Sequence, residues 1–194
     1  RYPVRFTGKT REVSLEGEAY FDVERDEDRR FIVETPAMQI EVLGTEFNVD
    51  AYDDPGRDTR TTLVEGSVQM TFSDSAGVHR VVRMSPGQSV SYCPETDEVT
   101  RSRVNTETIT SWKNGRIVLD NTSLADALRM IENRYNVQFD IMNKELLRNR
   151  YTGRFDNQIL DRVLEYFVRT TDIRFERDET LSSDVRGRER IKVY

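Results

Sequence analysis

Ala19-Tyr20-Phe21-Asp22-Val23 places positions 19, 21 and 23 on one face of an extended chain and Tyr20 and Asp22 on the other, because side chains alternate along a strand. The same alternation returns outward along the chain in Ile40-Glu41-Val42, Phe47-Asn48-Val49 and Val68-Gln69-Met70-Thr71-Phe72. Turn formers interrupt these runs at Gly17, Asp53-Asp54-Pro55-Gly56, Gly66, Ala76-Gly77 and Pro86-Gly87. Short strands at regular spacing, with no helical period between them, predict an all-β domain of stacked antiparallel sheets over residues 1–106. Glu-Gly occurs twice between strands, in Leu15-Glu16-Gly17-Glu18 and Leu63-Val64-Glu65-Gly66-Ser67, and reads as a tight turn or bulge in each.

The period changes after Trp112. Leu124, Ala127, Leu128, Ile131 and Tyr135 recur at spacings of three and four, one face of an amphipathic helix. Thr122 and Ser123 stand where an N-cap belongs. Val137, Phe139 and Ile141 then alternate as a strand. A second helix buries Leu160, Val163, Leu164, Phe167 and Val168, and leads to a strand at Ile173 and Phe175. A shift of 36 residues carries Asp120 onto Asp156, Asn121 onto Asn157, Leu124 onto Leu160, Leu128 onto Leu164 and Phe139 onto Phe175. The segment is a duplication. Each copy reads as strand, helix, strand: Ile117–Leu119 to Val137–Ile141, then Tyr151–Phe155 to Ile173–Glu176, with Arg190–Tyr194 closing the sheet. The expectation is a small α/β domain over 117–194, two helices on one face of a sheet, joined by a linker at 107–116 with Trp112 as a buried hinge.

Composition narrows the chemistry. Of 194 residues, 36% are hydrophobic and 33% charged, which suits a globular chain with a thin core. The 29 basic residues are interleaved with 35 acidic ones for a net charge of −6, a poor match to a phosphate-tracking surface. Cys93 is the only cysteine and His79 the only histidine, so the sequence builds no intrachain disulfide, cysteine zinc cluster, serine triad or HExxH site. No cofactor or metal is expected. No apolar stretch reaches the roughly 18 residues that cross a bilayer. Asn121-Thr122-Ser123 has the form of a glycosylation sequon and is better explained as helix capping.

Val13 to Val23, Val42-Leu43-Gly44-Thr45-Glu46-Phe47-Asn48-Val49, Thr62 to Val68 and Pro86-Gly87-Gln88 together resemble the FecR domain of anti-sigma regulators in order and spacing, with Trp112 at the boundary. The duplicated segment is similar to the family's C-terminal lobe and to the short N-terminal signalling domain of secretins and TonB-dependent transducers. The resemblance implies a relay: an outer-membrane transducer presents its periplasmic signalling domain to this region, and an extracytoplasmic-function sigma factor is controlled across the inner membrane. It places the region in the periplasm, anchored to the inner membrane. The family's membrane helix and sigma-binding segment, and the first strands of its FecR domain, would lie upstream of Tyr2.

Strand edges in the C-terminal lobe are the expected partner surface, near Val137, Phe139 and Ile141 or Ile191 and Val193. The resemblance also singles out Gly44-Thr45, since family members are similar to proteins that cleave themselves at such a bond by an N-to-O acyl shift. Thr45 Oγ would attack the Gly44 carbonyl, with Asp50 or Glu46 as the candidate base. The plainer reading is a turn glycine followed by a strand threonine. A rival function is a carbohydrate- or envelope-binding β-module, given the scattered Tyr and Phe.

Overall fold

A computed structural model of the protein describes residues 6–177 and 187–194. The chain divides into two compact units, Arg1–Thr110 and Ser111–Tyr194.

The first unit runs through β1 (Arg11–Ser14), β2 (Gly17–Val23), β3 (Phe31–Glu34), β4 (Gln39–Val42), β5 (Thr45–Ala51), β6 (Thr59–Glu65), β7 (Val68–Ser73), β8 (His79–Met84), β9 (Gln88–Cys93) and β10 (Glu98–Arg103) to a short helix, α1 (Thr106–Thr110). One sheet is ordered β1-β3-β4-β7-β8 and the other β10-β9-β6-β5-β2. The chain therefore changes sheet after β1, β2, β4, β6 and β8. Both Glu-Gly pairs are such crossovers and not turns within one sheet: Gly17 and Gly66 adopt φ of 114° and 89° where the chain leaves one layer for the other. One pairing departs from the antiparallel expectation. β1 and β3 run parallel, because the chain visits the opposite sheet between them.

Alternation explains the core. Val33, Ile40 and Met70 point inward from one sheet and Phe47, Val49, Leu63 and Val90 from the other, all fully buried. Each such side chain contributes about 2 kcal/mol of hydrophobic burial. Phe21 stacks on Phe47 at 5.0 Å between ring centroids.

The second unit opens with a 3-10 turn, Ser111–Asn114, in which Trp112 is half-buried rather than buried. The expected linker is thus largely helical, divided between α1 and this turn. β11 (Arg116–Ser123), α2 (Leu124–Tyr135) and β12 (Val137–Ile141) form the first copy of the repeat. After another 3-10 turn, β13 (Arg150–Asp156), α3 (Leu160–Thr170) and β14 (Phe175–Arg177) form the second, followed by β15 (Glu189–Val193). Asn121 and Asn157, matched by the 36-residue shift, both adopt φ of 48° ahead of their helices. Asparagine is among the few non-glycine residues that tolerate this left-handed conformation.

The strands do not join one sheet. The first strands of the two copies, β11 and β13, pair with each other. The second strands, β12 and β14, flank β15 on either side, parallel and antiparallel respectively. Helix α2 packs against β11 and β13 of one sheet and β12 of the other. One apolar stripe thereby serves two layers, with Leu124, Ala127, Leu128 and Ile131 buried. In α3, Val163, Leu164 and Phe167 are buried, but Val168 is exposed because only Phe167 reaches the core from the last turn.

Candidate functional site

Leu43 and Gly44 form the corner that carries the chain from β4 to β5, and Thr45 is the first residue of β5. A β-carbon at Gly44 would lie 2.5 Å from Arg25 Cα, so only glycine fits where two corners meet. Gly66 closes the site from the other side. A β-carbon there would stand 2.7 Å from the Gly44 carbonyl oxygen and 2.8 Å from Thr45 Oγ. Thr45 is buried, and its hydroxyl donates to the Ser67 carbonyl at 3.0 Å. The Gly44–Thr45 bond is therefore clasped between two glycine corners, with the would-be nucleophile already committed to a backbone acceptor.

Neither candidate base addresses it. Asp50 lies five residues along β5, roughly 17 Å at strand rise, and is held by Arg57 Nη2 at 3.1 Å. Glu46 is adjacent in sequence but projects from the opposite face of the strand. Its carboxylate accepts from the Tyr20 hydroxyl at 2.5 Å. Burial of Tyr20, followed by this bond and the Glu46 charge, pushes the phenol well above its ordinary pKa. The geometry gives Thr45 a structural hydrogen bond and gives Glu46 a neutral phenol as partner.

A guanidinium organises the same corner. Arg11, only 9% exposed, reaches in from β1 and donates to the carbonyls of Glu24 at 3.0 Å, Arg29 at 3.0 and 3.1 Å, and Leu43 at 3.2 Å. Phe31 packs beneath it at 5.7 Å. Sequence reading passed over this residue, since an arginine beside a polar neighbour in a short strand looks like a surface residue.

The C-terminal docking candidates fare differently from expectation. Val137, Phe139, Ile191 and Val193 are buried and belong to the second unit's core, while Ile141 is partly buried against it. Their side chains face inward. β15 is the central strand of its sheet, so Ile191 and Val193 present no edge to a partner. β12 has an outer edge without a neighbouring strand among the described residues. Glu132 of α2 guards it, accepting the Phe139 backbone N–H at 2.7 Å. Alternation identified which residues share a face but not that this face is the buried one.

The remaining candidates are placed plainly. His79 is exposed on β8, with Nδ1 3.0 Å from Ser73 Oγ. Cys93 is partly buried. No group of three His, Cys, Asp or Glu side chains among the described residues is arranged to hold a metal. An open cleft of about 420 Å³ is lined in part by Tyr52, Pro55, Arg57 and Glu95. Its aromatic face is not bare: the Arg57 guanidinium lies 4.5 Å over the Tyr52 ring. A sugar would have to displace it.

Comparison with known proteins accords with this architecture. Residues 2–69 match the FecR protein family and residues 116–182 the FecR C-terminal family, in that order. Two crystal structures of a protein described as an anti-sigma factor, from Parabacteroides distasonis, are similar to the chain at 28% identity with TM-scores of 0.77 and 0.74. In both, the similarity covers 100% of this chain and 84% of the other. A comparison with curated proteins finds no match. The described residues hold no helix long and apolar enough to cross a membrane. A β-sandwich matching one half of the family and a duplicated strand-helix-strand unit matching the other lead to one assignment: the chain belongs to the FecR family of anti-sigma factors.

Proposed function

We propose that this chain is the periplasmic receiving part of a membrane-anchored anti-sigma regulator, which takes its signal from a TonB-dependent outer-membrane transducer and controls an extracytoplasmic-function sigma factor. The observation that carries the reading is the occurrence of both FecR family matches in tandem on one chain. The signal passes by one folded surface docking on another, without turnover of a small substrate. Among the described residues β12 keeps an outer edge and β15 does not, so the contact is expected through the β12 backbone rather than through the side chains of Phe139 or Val137.

The test is titration of the purified chain with the periplasmic signalling domain of the transducer, followed by calorimetry. A one-to-one complex is expected. Binding to a glycan array with no heat from the signalling domain would instead favour the carbohydrate-module reading. Intact-mass measurement addresses the Gly44–Thr45 bond separately: an unbroken chain is expected, identical in behaviour for Thr45→Ala.

A further inference from the structure

Strands β8 and β10 each end one of the two sheets of the first unit, and a hydrogen bond joins them. Arg101 Nη2 on β10 donates to the Arg83 carbonyl on β8 at 3.2 Å. That carbonyl therefore points away from β7, into the open edge. Backbone groups alternate in direction along an antiparallel strand, so those of Val81 and His79 face the same way. A row of strand hydrogen-bonding groups is left without a partner strand among the described residues.

The side chains along this edge are unusual for the molecule. Arg83, Arg101 and Arg103 are all exposed, and no carboxylate among the described residues pairs with them. Arg80, by contrast, is paired with Asp74 at 2.9 Å. Three uncompensated guanidinium groups gather here on a chain whose net charge is −6. Val81, between Arg80 and Arg83, is 56% exposed, a large apolar side chain on the solvent face of an edge strand.

We propose that this edge docks an extended acidic segment of a partner protein, which adds beside β8 as a further strand and sets its carboxylates against Arg83, Arg101 and Arg103. Each element selects a feature of the occupant. Backbone groups of Val81 and His79 that face no strand among the described residues select an extended chain, which takes over the Arg83 carbonyl from Arg101. Guanidinium forks select carboxylates, which they bind bidentately. Val81 shares the outer face of β8 with Arg83, so it selects an apolar side chain two residues from the carboxylate that Arg83 binds, while the residues between face Arg101 and Arg103. A negative membrane surface is the poorer match, because headgroups offer no backbone to pair and the chain as a whole carries negative charge. The β12 edge of the second unit, guarded by the Glu132 carboxylate, would repel the same segment.

The experiment titrates the 194-residue chain with a synthetic acetylated hexapeptide of glutamates carrying a single valine at its third position, so that both faces of the added strand present carboxylates, read by backbone amide shifts. Shifts confined to residues 79–83 and 101–103 are expected, with affinity falling as salt rises. Arg83→Glu with Arg101→Glu should weaken binding by about tenfold or more, and Arg83→Gln with Arg101→Gln gives the same readout should charge reversal disturb folding. A lysine–valine peptide, and the acidic peptide N-methylated on alternate amides, should fail to bind. Equal binding of the basic peptide, no shifts with the acidic one, or retention on phosphatidylglycerol vesicles that the acidic peptide does not compete away would each overturn the proposal.

Discussion

In the first unit, strands far apart in sequence pair across two sheets: β1 with β3, β4 with β7, β6 with β9. In the second, one strand-helix-strand motif is used twice: the first strands of the copies pair with each other and the second strands both pair with β15. The first arrangement depends on corners, because the passages at Gly44 and Gly66 bring one backbone close against another. The second depends on helix ends, because α2 and α3 carry much of the core and little else fixes where each begins. Stability should respond accordingly, to corner substitutions in one unit and to capping substitutions in the other.

The largest expected effects test whether each unit has its own core. Phe47→Ala and Phe167→Ala should each cost about 3–5 kcal/mol, with loss of amide protection measured by hydrogen exchange greatest within the mutated unit. Arg11→Lys comes next, at about 3 kcal/mol, because one ammonium cannot satisfy the carbonyls of Glu24, Arg29 and Leu43 together. Chemical denaturation of the variant checks this. Gly66→Ala should cost about 2–3 kcal/mol and Gly77→Ala about 1. Both have positive φ, 89° and 76°, but only Gly66 has neighbours that a β-carbon would strike.

The duplication supplies a smaller contrast within the second unit. Ser123 caps α2 by accepting the Asp126 backbone N–H, whereas the matching position in α3 is Ile159, which has no capping side chain and is 65% exposed. Ser123→Ala should cost about 1 kcal/mol and Ile159→Ser should gain about half that or more, both read from thermal melts. Acid gives the mildest test. Bonds from the Val78 backbone and Arg80 lower the pKa of Asp74, the Ser75 hydroxyl and backbone lower that of Asp97, and Arg162 and Arg169 lower that of Glu165. A carboxyl whose folded-state pKa is depressed stabilises above the ordinary carboxylate range and ceases to as pH falls through the folded value. Acid should therefore loosen the 74–80 hairpin and the Asp97 turn of the first unit, followed by amide exchange between pH 5 and roughly 2.

Local patterns made much of this legible. Period-two alternation marks the strands of the first unit, and the 36-residue shift marks both copies of the second, matching Asn121 with Asn157, whose shared left-handed conformation the structure adds. What alternation cannot carry is which distant strand becomes the neighbour. Sheet changes at Gly17 and Gly66, the parallel β1–β3 pair and the split of the second unit into two sheets all rest on long-range contacts. Alternation likewise does not say that the face shared by Phe139 and Ile191 is buried in the core of the second unit. Arg11 was missed because its acceptors lie 13 to 32 residues away.

Those acceptors have a mechanical consequence. Among the described residues β1 pairs with β3 alone, and Arg11 is its first residue. Tension applied to the backbone at residue 11 would load this strand first among those described. Drawing it out would unmoor the Glu24, Arg29 and Leu43 carbonyls in one movement, slackening the clasp around Gly44 and Thr45 that the rest of the sandwich leaves intact.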